Sequence, residues 1–526
     1  MKQIKIYLAL AIGALLFNSC SGFLDSEPLT LLTDVNFYKT KADAELAIVG
    51  CYDGVQQIGG VGFPVLSEVL SDNCFSGTGN NDALNYLVLD EFDLSKSPGE
   101  VDILNANWES YYKAIYRMNV LLQKMDQIDW NGDDAYRNNI EAQARFLRAN
   151  CYFEMVRIWE RVPLLTEPSS GNIPQSEPDE IYKAITEDLL YAAENGTETV
   201  EPGRINKFAA KAMLAKVFLF YTGFYQKTDL VGLVTKATAL QGLEDVIGST
   251  KYGLVEEYKN LWPAASTYIE GDTLATTFAG KDNSETVFSI KYNITSNWNG
   301  NTDGNQWLVM LGMRAQTASP YGKGWGGCTV LPSLYNEFEA EDLRKTASII
   351  SFADENIEFD NTDTREVTGY INKKYIPLAN PSGSDVSESA GGVSFMISQY
   401  QDFVGIRYAD VLLMAAELGS TNAQTYFDLV RERAGLTSIT ATLANILEER
   451  RFEFAFEGIR YWDLIRQGIE VAAPKIEINT KVLNGGVETD KIISSSNIIA
   501  KRGFQMIPQQ QITRSGGVLT QNAGWQ

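Results

Sequence analysis

The sequence predicts a mainly α-helical protein: a scaffold of paired helices, carrying a loop-rich segment with short β-strands. Three observations predict it. Apolar residues recur at helical spacing through residues 101–260 and again after residue 405. Short Pro/Gly punctuations such as Pro174, Pro178 and Pro202-Gly203 separate these stretches. Between about Gly271 and Ser398 the periodicity fades and Asn, Gly, Ser and Asp rise.

The elements follow in order. Trp108, Tyr112, Ile115 and Asn119 step along one helical face, as do Ala142, Phe146, Ala149, Phe153 and Val156. Glu141, Arg148 and Glu154 fall mostly off the second stripe, and Pro163 follows as a stop. Asn206–Tyr221 is a third helix, with Phe208, Ala212, Ala215 and Leu219 inward. Helix pairs of this kind suggest an α-solenoid resembling tetratricopeptide repeats, although no clean repeat period is present. Thr286–Ile290 is strand-like, and Ile406–Leu418, Ala423–Ala434 and Leu443–Phe456 read as helices. After Lys501 the tail reads as extended and polar.

The N-terminus has a different texture. Lys2 and Lys5 precede an apolar run from Ile6 to Phe17, then Asn18-Ser19-Cys20. A basic start and a short apolar run describe a secretory signal. Twelve helical residues reach only about 18 Å, against a bilayer core of ~30 Å. Phe17-Asn18-Ser19-Cys20 is similar to a bacterial lipobox, so residues 1–19 are expected to be removed and Cys20 lipidated. The expected organisation is then residues 20–260 as an N-terminal helical region and 261–526 as a C-terminal region containing loop-rich segment 271–398, packed as one body.

Composition narrows the chemistry. The 526 residues include no histidine, which excludes Ser-His-Asp and Cys-His nucleophiles and imidazole metal sites. Catalysis by paired carboxylates survives that exclusion. A formal charge of −23 argues against nucleic acid. Loss of residues 1–19 removes two lysines and no acid, so attachment to a membrane would depend on acyl chains rather than basic patches. Four cysteines remain: Cys151 is expected as a buried thiol, and Cys74 and Cys328, both in Gly-rich segments, as a disulfide.

No motif calls for a cofactor or a metal. Gly322 to Gly327 satisfies G-x-G-x-x-G, but Ser319-Pro320 before it and Leu331-Pro332 after it deny the strand and helix that a dinucleotide needs. Asp129 to Asp133 begins like a calcium loop, yet Ile140 stands where a glutamate is required; it reads as a turn between helices. The stronger feature is aromatic. Trp298, Trp307 and Trp325 cluster in one Gly/Asn-rich stretch with Asn299, Asn301, Asn305 and Tyr321. Flat rings beside amides suit sugars, whose C–H faces stack while hydroxyls take directed hydrogen bonds. The candidate ligand contacts are Trp298, Asn299, Trp307, Tyr321 and Trp325, with Asp72 and Asn73 from a second Gly-rich region.

Several longer motifs carry a family resemblance. They are Phe23-Leu24-Asp25-Ser26-Glu27-Pro28 after Cys20, Trp108 to Ile115, Glu141 to Ala149, and Arg407-Tyr408-Ala409-Asp410-Val411 leading to Glu417. Val430-Arg431 with Arg433 follows, then Glu449-Arg450-Arg451-Phe452-Glu453, Glu457 to Leu464, Ile507-Pro508, and Gln521 to Trp525. In this order they resemble the SusD/RagB outer-membrane lipoproteins of Bacteroidetes. The resemblance implies a lipid-anchored protein facing the cell exterior, capping a SusC-like TonB-dependent transporter and handing it glycans, or in some relatives peptides. It implies no catalysis and carries over no ligand-binding residue. Within these motifs Arg407 with Asp410, and Arg450 with Glu453, have helical spacing for ion pairs, and Trp462 and Trp525 would pack. The expected function is therefore glycan binding and delivery. A peptide-binding relative and a carboxylate-dependent glycoside hydrolase are the alternatives.

Overall fold

The computed structural model describes residues 37–59 and 63–525. The expected signal segment, the Cys20 lipidation site and the Phe23–Pro28 motif lie outside the described residues.

Six long helices form the first stack: α1 (Lys41–Gln56), α2 (Asn105–Lys124), α3 (Asp134–Trp159), α4 (Pro178–Asn195), α5 (Lys207–Phe224) and α6 (Lys236–Gly248), with the short helices Phe63–Val69 and Asn85–Asp90 between α1 and α2 in the chain. Their starts are written locally. Thr40 and Asp43 form a capping box on α1, Pro178 takes the first turn of α4, and Asn206 Oδ1 accepts the Phe208 and Ala209 N–H groups, both at 3.0 Å. Each helix packs on the next, from α1 on α2 through α5 on α6. After the loop-rich segment the stack resumes: α7 (Tyr408–Glu417) lies on α6, α8 (Ala423–Arg433) and α9 (Leu443–Glu453) lie on α7, and α10 (Arg460–Ile465) reaches α5.

The predicted stripe of α3 is buried, but so is nearly everything else from Gln143 to Trp159. Arg148 and Glu154, expected off the stripe, are enclosed because α3 lies between α2 and α4. Arg148 clamps Asp188 of α4 through two bonds of 2.8 Å, and Tyr111 of α2 donates to Glu154 at 2.6 Å. Burying charge is tolerated there because each group is paired.

Strands fill the irregular half. β1 (Cys74–Gly77), β2 (Thr286–Ile290), β3 (Gly327–Val330), β4 (Ile349–Ser351), β5 (Tyr370–Asn372) and β6 (Phe403–Arg407) precede a hairpin of β7 (Ile478–Asn484) and β8 (Val487–Ile493). β1-β3-β5-β4 form an antiparallel sheet, and β6 pairs with β2. Ile406 and Arg407, expected to open a helix, end β6 instead. Cys74 and Cys328 sit on the paired strands β1 and β3, yet both are buried free thiols, as are Cys51 and Cys151, so the expected disulfide is not formed. The tail is not the extended polar segment predicted. It contains helix Gln509–Arg514, and Met506 O accepts the Trp159 indole N–H at 3.1 Å while Phe504 O accepts that of Trp525 at 2.8 Å. Residues 129–133 form the predicted turn between helices.

A buried ionic network ties the loop-rich segment to the C-terminal helices. Arg344, Arg407, Arg431, Arg433 and Lys374 face Asp342, Glu285, Glu449, Glu453 and Glu457, so the charges cancel inside it. The expected local pairs are not the ones made. Arg407 lies outside α7 and reaches Glu457 at 2.7 Å, Glu453 at 3.0 Å and Glu285, while Asp410 takes Arg450 at 2.7 Å and Lys216 at 3.3 Å. Arg450 turns away from Glu453 to Asp463, also at 2.7 Å.

The buried carboxyl of Glu68 has no cation in contact among the described residues. Glu68, in helix Phe63–Val69, accepts from Asn73 at 3.3 Å and from the Gly458 N–H at 3.1 Å; burial pushes its pKa up to about 7. A carboxyl raised in this way binds its proton more tightly folded than unfolded. Its contribution therefore falls as pH rises from the ordinary 4.5 to about 7, by roughly 3 kcal/mol. Glu68→Gln is expected to gain stability over the parent at pH 8 and not at pH 4.5, measured by urea unfolding. Equal effects at both pH values would refute the assignment.

Candidate functional site

The Asn-rich loop of residues 293–303 is braced by its own polar atoms. Its base is closed by the Asn293 N–H on Asp303 O at 2.9 Å and by Thr295 Oγ1 on Asp303 Oδ2 at 2.7 Å. Within it, Asn297 N–H reaches Asn301 O at 3.0 Å, Asn301 Nδ2 reaches Thr295 O at 3.2 Å, and Asn299 N–H reaches Asn297 Oδ1 at 2.8 Å. Short polar side chains that bond their own backbone hold turns of this kind. At the tip stands Trp298, 65% exposed, with the exposed Asn299, whose side chain makes no hydrogen bond among the described residues. Asn301 is consumed by the loop, and Asn305 is buried, donating to Gln401 O at 2.8 Å and capping helix Gln306–Leu311.

The other candidates divide. Trp307 is 1% exposed, its ring 4.6 Å from Tyr375 and 5.5 Å from Phe403, centroid to centroid. The expectation that it meets ligand is corrected: it is core. Asp72 and Asn73 are corrected for the same reason. Asp72 is clamped by Arg460 through two bonds of 2.7 Å, and Asn73 is buried between Glu68 and Arg451, each at 3.3 Å. Burial opposes ionisation of Asp72, but Arg460 and Arg451 outweigh it and hold the carboxyl below its usual range. Tyr321 is largely buried and donates to Glu355 at 2.6 Å. Trp325 is half-buried against the main core, on a glycine turn where Gly322 lies against Pro377 and Gly324 against Val309, which leaves no room for a Cβ. Close packing, not phosphate, explains the glycines.

Two clefts flank the foot of the Trp298 loop. The larger, of about 440 Å³, is lined by Tyr52, Asp53 and Gln56 of α1, Arg204, Phe288 and Lys291, with Asn293 and Asp303 from the loop base. The smaller, of about 230 Å³, is lined by Gln56, Gln57, Ser110, Lys113, Arg117, Thr302 and Gln306. Gln56 lies between them and donates to Lys291 O at 2.6 Å. Sequence reasoning missed this contribution of α1 and α2. Ser110, Lys113 and Arg117 step by three and four along the polar face of α2, which reads as an ordinary solvated face. Among the described residues no group of three or more Cys, Asp or Glu is placed to hold a metal ion.

Comparison with known proteins follows this geometry. Residues 360–525 match the model of the SusD family, and residues 23–219 match a model described as starch-binding associating with outer membrane. The chain is 26% identical to SusD-like protein P2 of Formosa agariphila, with 100% of both chains covered. The chain belongs to the SusD/RagB family. Another member, a SusD-like protein of Bacteroides ovatus, is 25% identical over 87% of this chain and 81% of its own. Among solved SusD-like structures, a laminarin-binding SusD-like protein superposes with a TM-score of 0.72 at 26% identity, covering 93% of this chain and 100% of that one. Surface glycan-binding protein A of Bacteroides thetaiotaomicron, in complex with laminarihexaose, shares the fold with a TM-score of 0.73 at 23% identity, covering 92% and 100%. The helix stack is thus the tetratricopeptide-like scaffold of SusD/RagB proteins.

Proposed function

We propose that this protein binds oligo- or polysaccharide outside the cell, held to the outer membrane by lipid on Cys20, and delivers it to a SusC-like TonB-dependent transporter without performing a reaction. The observation that carries the reading is Trp298: a wide apolar ring held out in water by a self-braced loop, beside Asn299, with two clefts at the foot of that loop. An exposed indole on a braced loop offers a sugar face a broad apolar surface, and with only two side-chain torsions it costs little entropy to order. The laminarin-binding relative supports a glycan over a peptide. Trp325, half-buried, and the largely buried Tyr321 line neither cleft and are left out of this site.

Trp298→Ala is expected to weaken glycan binding by about 10- to 100-fold, the scale of a central aromatic contact. Affinity electrophoresis and calorimetry against a polysaccharide panel measure it, with the melting temperature as control. Unchanged affinity would remove Trp298 from the site. Release of reducing ends by the purified protein would favour a hydrolase instead.

A further inference from the structure

We infer that the smaller cleft is a subsite for an acidic sugar unit, one bearing a carboxylate or sulfate group; this rests on the glycan reading above and names the substrate class. The cleft lies between the C-terminal end of α1, the polar face of α2 and the loop foot. Ser110, Lys113 and Arg117 share one stripe of α2 and all line it, with Gln57, Thr302 and Gln306 opposite or beside them. No carboxylate lines it.

The surrounding acids are already matched. Asp53 is paired with Arg117, whose guanidinium also donates to Gly50 O at 2.7 Å, and Gln57 Nε2 covers both Asp53 oxygens at 3.1 and 3.0 Å. Glu109, one turn before Lys113, is held by Arg514 at 2.6 Å. Lys113 itself is exposed and makes no ion pair or hydrogen bond among the described residues. Glu109 is thus shared between Arg514 and the field of Lys113, and Asp53 is taken by Arg117, so the cleft presents a net positive charge beside neutral donors and acceptors. A neutral sugar would use the Ser, Thr and Gln groups and leave that charge idle. An acidic sugar would use both, the ammonium meeting its anionic group and the amides its hydroxyls. The chain's overall charge of −23 does not forbid this, because charges farther away than about 8 Å are screened at physiological salt and local groups decide.

The test is retention of the full protein in affinity gels containing polygalacturonate, alginate, a sulfated galactan, laminarin or xylan. The expected result is retention by at least one acidic polysaccharide, falling with added salt. Lys113→Gln should cut that retention about two- to fivefold, the scale of one exposed charge contact, and Lys113→Arg should restore it. Retention by neutral polysaccharides alone overturns the inference and leaves the glycan reading standing. So does retention by an acidic polysaccharide that Lys113→Gln does not change. Retention by none of the five, with no binding elsewhere in the panel, overturns both.

Discussion

Arg407→Met is expected to destabilise the protein by about 3–5 kcal/mol, the usual result of removing one partner from a buried ion pair. Arg407 is 2% exposed and holds Glu457, Glu453 and Glu285 at once. Methionine matches much of its length but leaves the three carboxylates with only Arg344, Arg433 and Lys374. Burial opposes the charge on Glu453; Arg433, Arg407 and Arg344 outweigh it and hold that carboxyl far below its usual range. A depressed carboxylate stabilises the fold above its unfolded pKa and loses that contribution as pH falls. In the variant, protonation can relieve the uncompensated charge, so the penalty should shrink below about pH 4. Lys481→Met is the control, since its pair with Asp490 is more than half exposed and its loss should leave the unfolding midpoint nearly unchanged. Urea unfolding of both variants decides; a loss below about 1 kcal/mol for Arg407→Met would show that the network reorganises around the gap.

The same residues show where sequence reading stops. The helical stripe of α3 was legible because it depends on spacing within one element, and Ala142, Phe146, Ala149, Phe153 and Val156 are all buried as expected. The ionic partners were not. Glu285 is 122 positions from Arg407, and nothing local competes with the nearer Asp410 until the strand pair β2–β6 brings the two together. Asp72 and Asn73 failed similarly: a Gly-rich neighbourhood suggested a surface loop, but Arg460 and Arg451, nearly four hundred positions on, draw them inside. For the site, residue type was enough to single out Trp298 but not to separate it from Trp307. The separation lies in the context of each ring, one at a loop tip and one on the first turn of a buried helix. The α1–α2 clefts left no trace, since polar side chains on the outer face of a helix look alike whether or not they line a cavity.

That contrast yields the second large effect. Trp307→Ala is expected to cost about 3–5 kcal/mol in stability, as for other buried aromatics cut to alanine. Its ring packs against Tyr375 and Phe403, which are themselves buried, so its removal leaves a void in the core. The helix it begins is capped by Asn305, which also anchors the loop foot through the Asn305 N–H on Gln399 O at 2.7 Å. Loosening that helix should therefore weaken glycan binding only indirectly and in proportion to unfolding, so that affinity recovers under stabilising conditions. Trp298→Ala should do the reverse, removing affinity while the unfolding midpoint stays at the parent value, because an indole with 65% of its surface in water contributes little to the core. Unfolding curves and binding isotherms for the two variants separate the roles. If Trp307→Ala kept the parent's stability and lost binding, Trp307 would be a ligand contact and the loop would have to open to reach it.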